Sequence, residues 1–333
     1  MRVYFDKKNI ESFIASSNHS EFQDCLRMIK SQCDIYFTFP KEILSNPPYN
    51  LFLNLLSSGR SLSSLRPQFI DLFPPRPLKS NIHKDFNRDE LTAVYLLDDD
   101  KIETVKRSGT ILIGAPGEEI DTLSNLFYDD YQFTKSYTPK VDMPKWDALL
   151  PTVLPCSDII IVDRYLFSNK ELLDFNIHYL LSILGGKQEN RKYNIVIFTS
   201  MQQEISVNGR KCYFTPDWYK IKNDIKTYLK KENGSASNVT IITLRRLIEH
   251  DRTIFTNYNN SFSGDSFTYY DSNGDLITAS RNYSVHSHGS RDNLKKGYYF
   301  IEDMQVIINN MVFPRDNELL IGDKKSNFLK FPD

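Results

Sequence analysis

Little in this chain is in excess. Of 333 residues, only 4 are cysteine and 2 tryptophan. Cys25, Cys33, Cys156 and Cys212 are scattered and form no C-x-x-C pair. Neither a zinc site nor a disulfide framework is indicated, and a cytoplasmic protein with free thiols is the expectation. No run approaches the ~20 apolar residues of a membrane helix, so no transmembrane segment is expected. The opening MRVYFDKKNIESF lacks the apolar stretch of a signal peptide. Neither sign of charge dominates: 41 Lys and Arg face 42 Asp and Glu, for a net charge of −1. That excludes a global basic field, so any nucleic-acid contact must come from a local patch. No internal repeat is visible.

What is present suffices for a real core. Forty percent of the residues are hydrophobic, and the length fits one large or two ordinary domains. Enrichment in Asn, Lys, Ile, Tyr and Phe reads as the usage of an AT-rich bacterial genome. SDIIIVDRYLF at 157–167 is a continuous apolar run ending in polar residues, the pattern of a buried parallel strand. A helical spacing follows over 170–184, a second buried strand over 193–200, and a helix over 216–231 with Trp218, Ile221, Ile225 and Leu229 on one stripe. A third strand occupies 239–246 and a fourth starts at 250. Strand, helix, strand, helix, strand is a layered α/β unit.

The first 150 residues alternate in the same way, with strands expected at 2–5, 33–39, 91–99 and 110–116. Helices are expected at 9–15, 20–32, 49–56 and 118–128. A connector over 57–88 carries Pro67, Pro74, Pro75 and Pro77, which block regular structure. Pro144, Pro151 and Pro155 suggest a boundary in 141–156.

The most informative stretch is HDRTIFTNYNNSFSGD. His250 and Arg252 stand two apart, four residues separate Arg252 from Asn257, and six separate Asn257 from Gly264. The spacing resembles the phospholipase D superfamily motif, His-x-Lys, four residues, Asp, six residues, Gly-Ser. Here Arg replaces Lys and Asn replaces Asp. The HDR spelling is similar to that of the C-terminal phospholipase D-like domain of MIT-domain proteins, regarded as non-hydrolytic and used for membrane attachment, and of bacterial relatives. The match covers roughly 155–300. It implies an α/β fold built on a phospholipase D-like mixed sheet flanked by helices over 142–315. A smaller N-terminal α/β region then occupies 1–141, and a C-terminal tail 316–333.

The resemblance also implies chemistry. In the family the histidine attacks phosphorus, a second motif's histidine protonates the leaving group, and the lysines hold phosphate oxygens. His250 is the corresponding nucleophile and Arg252 the corresponding phosphate holder, with a bidentate fork. Asn257 cannot stabilise an imidazolium as a carboxylate would. A single motif supplies half a site, so activity requires a homodimer that brings two His250 residues together. Arg246, Ser263, Gly264, His286 and His288 are the further candidate ligand-binding residues, with no cofactor and no metal ligand among them.

Each weaker feature carries a bland reading beside the sharp one. His286-x-His288 reads as a metal pair or a proton donor near His250, or else as a solvated loop. Asp98-Asp99-Asp100 with Asp6, Asp34 and Asp121 reads as a magnesium site, or else as a turn and helix cap. Arg245-Arg246 and Lys295-Lys296 read as basic contacts or solvated surface. Tyr269-Tyr270 and Tyr298-Tyr299 read as base-stacking pairs, or as alternation in a half-buried sheet. Three function classes stay open. The first is a phosphate-ligand-binding module, nucleic acid being the favoured ligand. The second is a dimeric phosphodiesterase or nuclease, and the third a non-catalytic assembly subunit. A chain of this type fits a bacterial anti-phage or mobile-element system, with an operon-encoded protein as partner.

Overall fold

The computed structural model describes residues 1–58, 68–69, 88–97, 109–113, 117–128, 132–169, 173–186, 192–207, 210–234, 237–245, 252–277, 282–311 and 319–332. They form two compact units. The first is Met1–Phe133 with Ser287–Lys295, the second Thr134–His286 with Lys296–Asp333.

The first unit carries a five-stranded sheet: β1 (Arg2–Phe5), β2 (Asp34–Phe37), β3 (Gln68–Phe69), β4 (Val94–Leu96) and β5 (Ile111–Ile113). Its order is β3-β2-β1-β4-β5, and every pairing is parallel. Parallel neighbours need crossover connections, and the Lys7–Ala15 helix begins the one from β1 to β2. Register aligns Tyr4 with Tyr36 and Tyr95. The three rings therefore form a ladder, each outer ring 4.8 Å from Tyr4. Alternation places Phe5 and Phe37 on the other face, where Phe52 meets both.

The second unit carries eight strands in the order β15-β11-β8-β7-β12-β13-β14-β6. These are β6 (Thr134–Tyr137), β7 (Asp158–Val162), β8 (Asn194–Ser200), β11 (Asn238–Leu244), β12 (Arg252–Thr256), β13 (Asn259–Ser263), β14 (Tyr283–Ser287) and β15 (Leu319–Gly322). β7, β8 and β11 are mutually parallel, and β12 runs antiparallel to β7. The expected mixed sheet flanked by helices is present, with 157–167, 193–200, 239–246 and the 250 segment contributing neighbouring strands. Two further strands, β9 (Gln203–Val207) and β10 (Arg210–Phe214), form a separate antiparallel ribbon.

On one sheet face Ile160, Val162, Val196, Phe198, Ile242 and Phe255 pack against Ile301, Met304 and Ile308 of the Arg291–Asn310 helix. The Trp218–Asn233 helix packs on β11 through its own buried stripe. Its limits follow from local chemistry. Asp217 caps the start by accepting from the Lys220 N–H at 3.0 Å, and Gly234 ends it at φ 71°.

Several expectations are corrected. The boundary lies at 133/134 rather than 141/142, because Thr134–Tyr137 is an edge strand of the second sheet. Residues 316–333 are no tail: β15 forms the other edge, and Ser326 and Asn327 bond to Asp158. The 170–184 helix contains a π turn, Asp174–His178, before Tyr179–Leu184, with the His178 N–H reaching the Leu173 carbonyl. Most of the 57–88 connector lies outside the described residues.

Candidate functional site

The parallel strands β7, β8 and β11 end at Val162, Ser200 and Leu244, and β12 starts at Arg252 beside the end of β7. In open α/β sheets this carboxyl edge is where ligands settle. The chain after β7 reads Asp163-Arg164-Tyr165. The Arg252 guanidinium lies 6.0 Å from the Tyr165 ring centre and that of Arg164 5.2 Å from it, within cation–π range. The Gly264 carbonyl accepts from Arg252 Nη1 at 2.9 Å and orients the fork.

Asp163 organises this corner. It is buried and accepts from Ser266 Oγ at 2.7 Å, the Phe267 N–H at 2.8 Å and the Tyr165 N–H at 2.9 Å. Burial pushes its carboxyl above the usual carboxylate range, while these hydrogen bonds and the nearby Arg252 charge pull it back. Ser263 stands opposite Arg252 in register. Its Oγ is engaged within the turn, donating to the Asp265 carbonyl at 2.6 Å and accepting from the Asp265 N–H at 3.1 Å.

Among the candidates from sequence, Arg252, Ser263 and Gly264 are therefore brought together. Asn257 is not. It sits past the far end of β12, about 17 Å from Arg252 at ~3.3 Å per residue. There it is buried, its Oδ1 accepting from the Ser157 N–H at 2.8 Å and Ser157 Oγ at 3.3 Å. Its side chain secures the start of β7. His250 and Arg246 lie outside the described residues.

His286 belongs to β14 and is no solvated loop residue. Thr134 Oγ1 meets its Nδ1 at 3.3 Å, Ser284 Oγ its Nε2 at 3.0 Å, and Phe262 packs edge-on at 5.1 Å. Burial, with a smaller effect from Lys296, holds its pKa below the ordinary histidine value. His288 is fully buried. Tyr269 and Tyr270 are both buried, the first stacked on Trp146 and the second edge-on to it. Alternation expects one ring of the pair inside. A tight turn over 271–275 replaces the expected strand, which lets both rings enter the core.

The aspartates do not converge. Asp6 follows the end of β1 and Asp34 starts β2, so parallel pairing sets them at opposite ends of the sheet. Asp34 pairs with Arg291 at 2.7 Å and Asp121 lies 3.7 Å from His19. Asp98, Asp99 and Asp100 lie outside the described residues. Among the described residues no group of three His, Cys, Asp or Glu side chains is placed to hold a metal ion. Likewise, no described helix is long and apolar enough to cross a membrane.

Sequence reasoning missed Asp163, Arg164, Tyr165 and Gln203. The one signal was an aspartate directly after the apolar IIIV run, the place where a buried strand meets the carboxyl edge. Gln203 is fully buried. Its Nε2 donates to the carbonyls of Arg164 at 3.1 Å and Ser200 at 2.7 Å, and its Oε1 accepts from the Phe167 N–H at 3.3 Å. A concavity of about 480 Å³ lies between the π turn and the Trp218–Asn233 helix, away from these residues. It holds His178, bonded to Asp174 at 2.7 Å and stacked on Tyr228.

Compared with known proteins, the chain matches no family model, no curated protein and no solved structure.

Proposed function

We propose that the second unit is a phospholipase D-like module that binds a phosphate-bearing ligand, nucleic acid by preference, without cutting it. The observation that carries this reading is the pair of guanidiniums, Arg164 and Arg252, about the Tyr165 ring at the carboxyl edge of the parallel strands. Arginine forks match phosphate oxygens bidentately, and the Gly264 carbonyl sets one fork in advance. The motif spacing supports the same residue, since Arg252 occupies the position of the family's phosphate-holding lysine. The chemistry of Asn257 argues against cleavage. It is an amide, and it is committed to Ser157 at the other end of β12.

The test combines equilibrium binding with single-turnover cleavage in EDTA, using labelled DNA, RNA and a model phosphodiester. Arg252→Ala is expected to weaken binding by about 1.5–3 kcal/mol, more than His250→Ala does, with the ligand recovered intact. Robust cleavage that disappears in His250→Ala would overturn the non-catalytic reading in favour of a dimeric phosphodiesterase. No binding and no cleavage would leave the assembly-subunit reading standing.

A further inference from the structure

Beside the Arg252 corner stands an element that a phosphate site alone does not require. The β9–β10 ribbon pairs Glu204 with Tyr213 and Gln203 with Phe214, away from both larger sheets. Isolated two-stranded ribbons are marginal in water. This one is fastened at its base by Gln203, whose side chain bonds to the Arg164–Phe167 loop and to the end of β8. The ribbon and the loop that carries Tyr165 are thus tied together.

The face of the ribbon is built from three alternating side chains. Lys211 Nζ lies 2.7 Å from Glu204 Oε1, and the Tyr213 hydroxyl donates to Glu204 Oε2 at 3.2 Å. The Glu204 carboxyl is held below the usual carboxylate range, first by the Lys211 bond and, among smaller effects, by the Arg164 charge. Arg210, Lys211, Cys212 and Tyr213 are all exposed, and only Phe214 at the base of β10 is half-buried. The Tyr213 ring is 59% exposed although its hydroxyl is tethered. Register turns Arg210 to the opposite face of the ribbon, so on the Tyr213 side the Arg164 and Arg252 guanidiniums stand beside the Lys211–Glu204 pair, with Asp163 buried and Asp265 in the adjoining turn. An arginine pair beside an open, oriented tyrosine ring matches an anionic polymer with flat apolar bases.

We infer that the ribbon is a single-strand arm: a single-stranded nucleic acid runs from the Arg164–Arg252 corner onto β10, with one base stacked on Tyr213 and its backbone on Lys211. Single strands fit better than duplex, because a duplex hides the base faces that an exposed tyrosine would engage. The inference rests on the phosphate-binding reading of the Arg252 corner.

The experiment measures fluorescence anisotropy of a labelled oligothymidylate and of a duplex, and calorimetric binding of inorganic pyrophosphate. The proteins are the full chain, Tyr213→Ala, Tyr213→Phe, Lys211→Ala and Arg252→Ala. Expected is tighter binding of the single strand than of the duplex. Tyr213→Ala should lose about tenfold in single-strand affinity, the weight of one base–aromatic stack. Tyr213→Phe, which keeps the ring and loses the Glu204 bond, should retain affinity, and both Tyr213 variants should bind pyrophosphate as the parent does. If the single strand binds and Arg252→Ala alone weakens it, the arm is refuted while the phosphate site stands. Duplex preference, or equal loss in Tyr213→Phe and Tyr213→Ala, also refutes the arm. If neither pyrophosphate nor oligothymidylate binds the parent chain, both readings fall.

Discussion

Asp158 begins the central strand with a fully buried carboxylate held by neutral donors. Ser326 Oγ at 2.6 Å, the Asn327 N–H and Nδ2 at 2.8 Å each and Ser157 Oγ at 2.8 Å all donate to it. Burial raises its pKa, and the hydrogen bonds from Ser326, Ser157 and Asn327 offset part of that rise. The sign follows from linkage. A carboxyl whose folded pKa is raised binds its proton more tightly in the folded chain, so its contribution to stability falls as pH rises from about 4, the ordinary Asp value, through the raised folded value. In Asp158→Asn that titration is removed, and the new amide N–H₂ faces donors, costing about 1–3 kcal/mol. Urea unfolding across that range should show the parent's advantage over the variant shrinking as pH increases. An advantage that grows with pH would reverse the assigned direction. Neither Asp158 nor Asn257 announces its role in sequence. Asn257 reads as the altered third member of a catalytic signature, yet its partner Ser157 stands 100 residues away. Spacing within a motif reports neighbours along one strand, whereas hydrogen bonds across the sheet depend on pairing.

At the scale of elements, apolar strands were legible and polar ones were not. IIIV in β7 and IVIF in β8 announce burial on both faces. β6, β13 and β14 read TKSY, NNSFS and YSVHS. β6 and β13 carry mostly polar side chains, and the alternation of β14 rests on two apolar residues alone, Tyr283 and Val285, with Thr134 and Ser284 both meeting His286, so little hydrophobic pattern betrays these strands. β15 was hidden for a different reason: it is four residues long and its closing glycine is set by geometry. Gly322 has φ 122°, and a Cβ there would fall 2.1 Å from the Val239 carbonyl oxygen. Gly322→Ala therefore strains the backbone and collides with β11 at once, and is expected to destabilise the chain by about 2 kcal/mol or more. Hydrogen exchange should locate the loss at the β11–β15 pairing. Unchanged protection there would show that the edge strand can be displaced without cost.

For the whole molecule, charge balance decides how nucleic acid can be held. With a net charge of −1, no long-range field draws a polyanion in, so affinity depends on the few cations at the site. Arg164, Arg252 and Lys211 are three such groups. Each phosphate neutralised on a single strand releases about 0.7 counterion. The logarithm of affinity should therefore fall with the logarithm of salt concentration at a slope no steeper than about −2 for oligothymidylate. Arg252→Ala and Lys211→Ala should each flatten it by about 0.7. Tyr213→Ala should lower affinity at every salt concentration and leave the slope unchanged, because a stacked base releases no counterions. A salt titration by anisotropy separates these terms within one experiment. A slope much steeper than about −2 would place the dominant contacts on another surface of the molecule, since these three groups do not carry the charges to produce it.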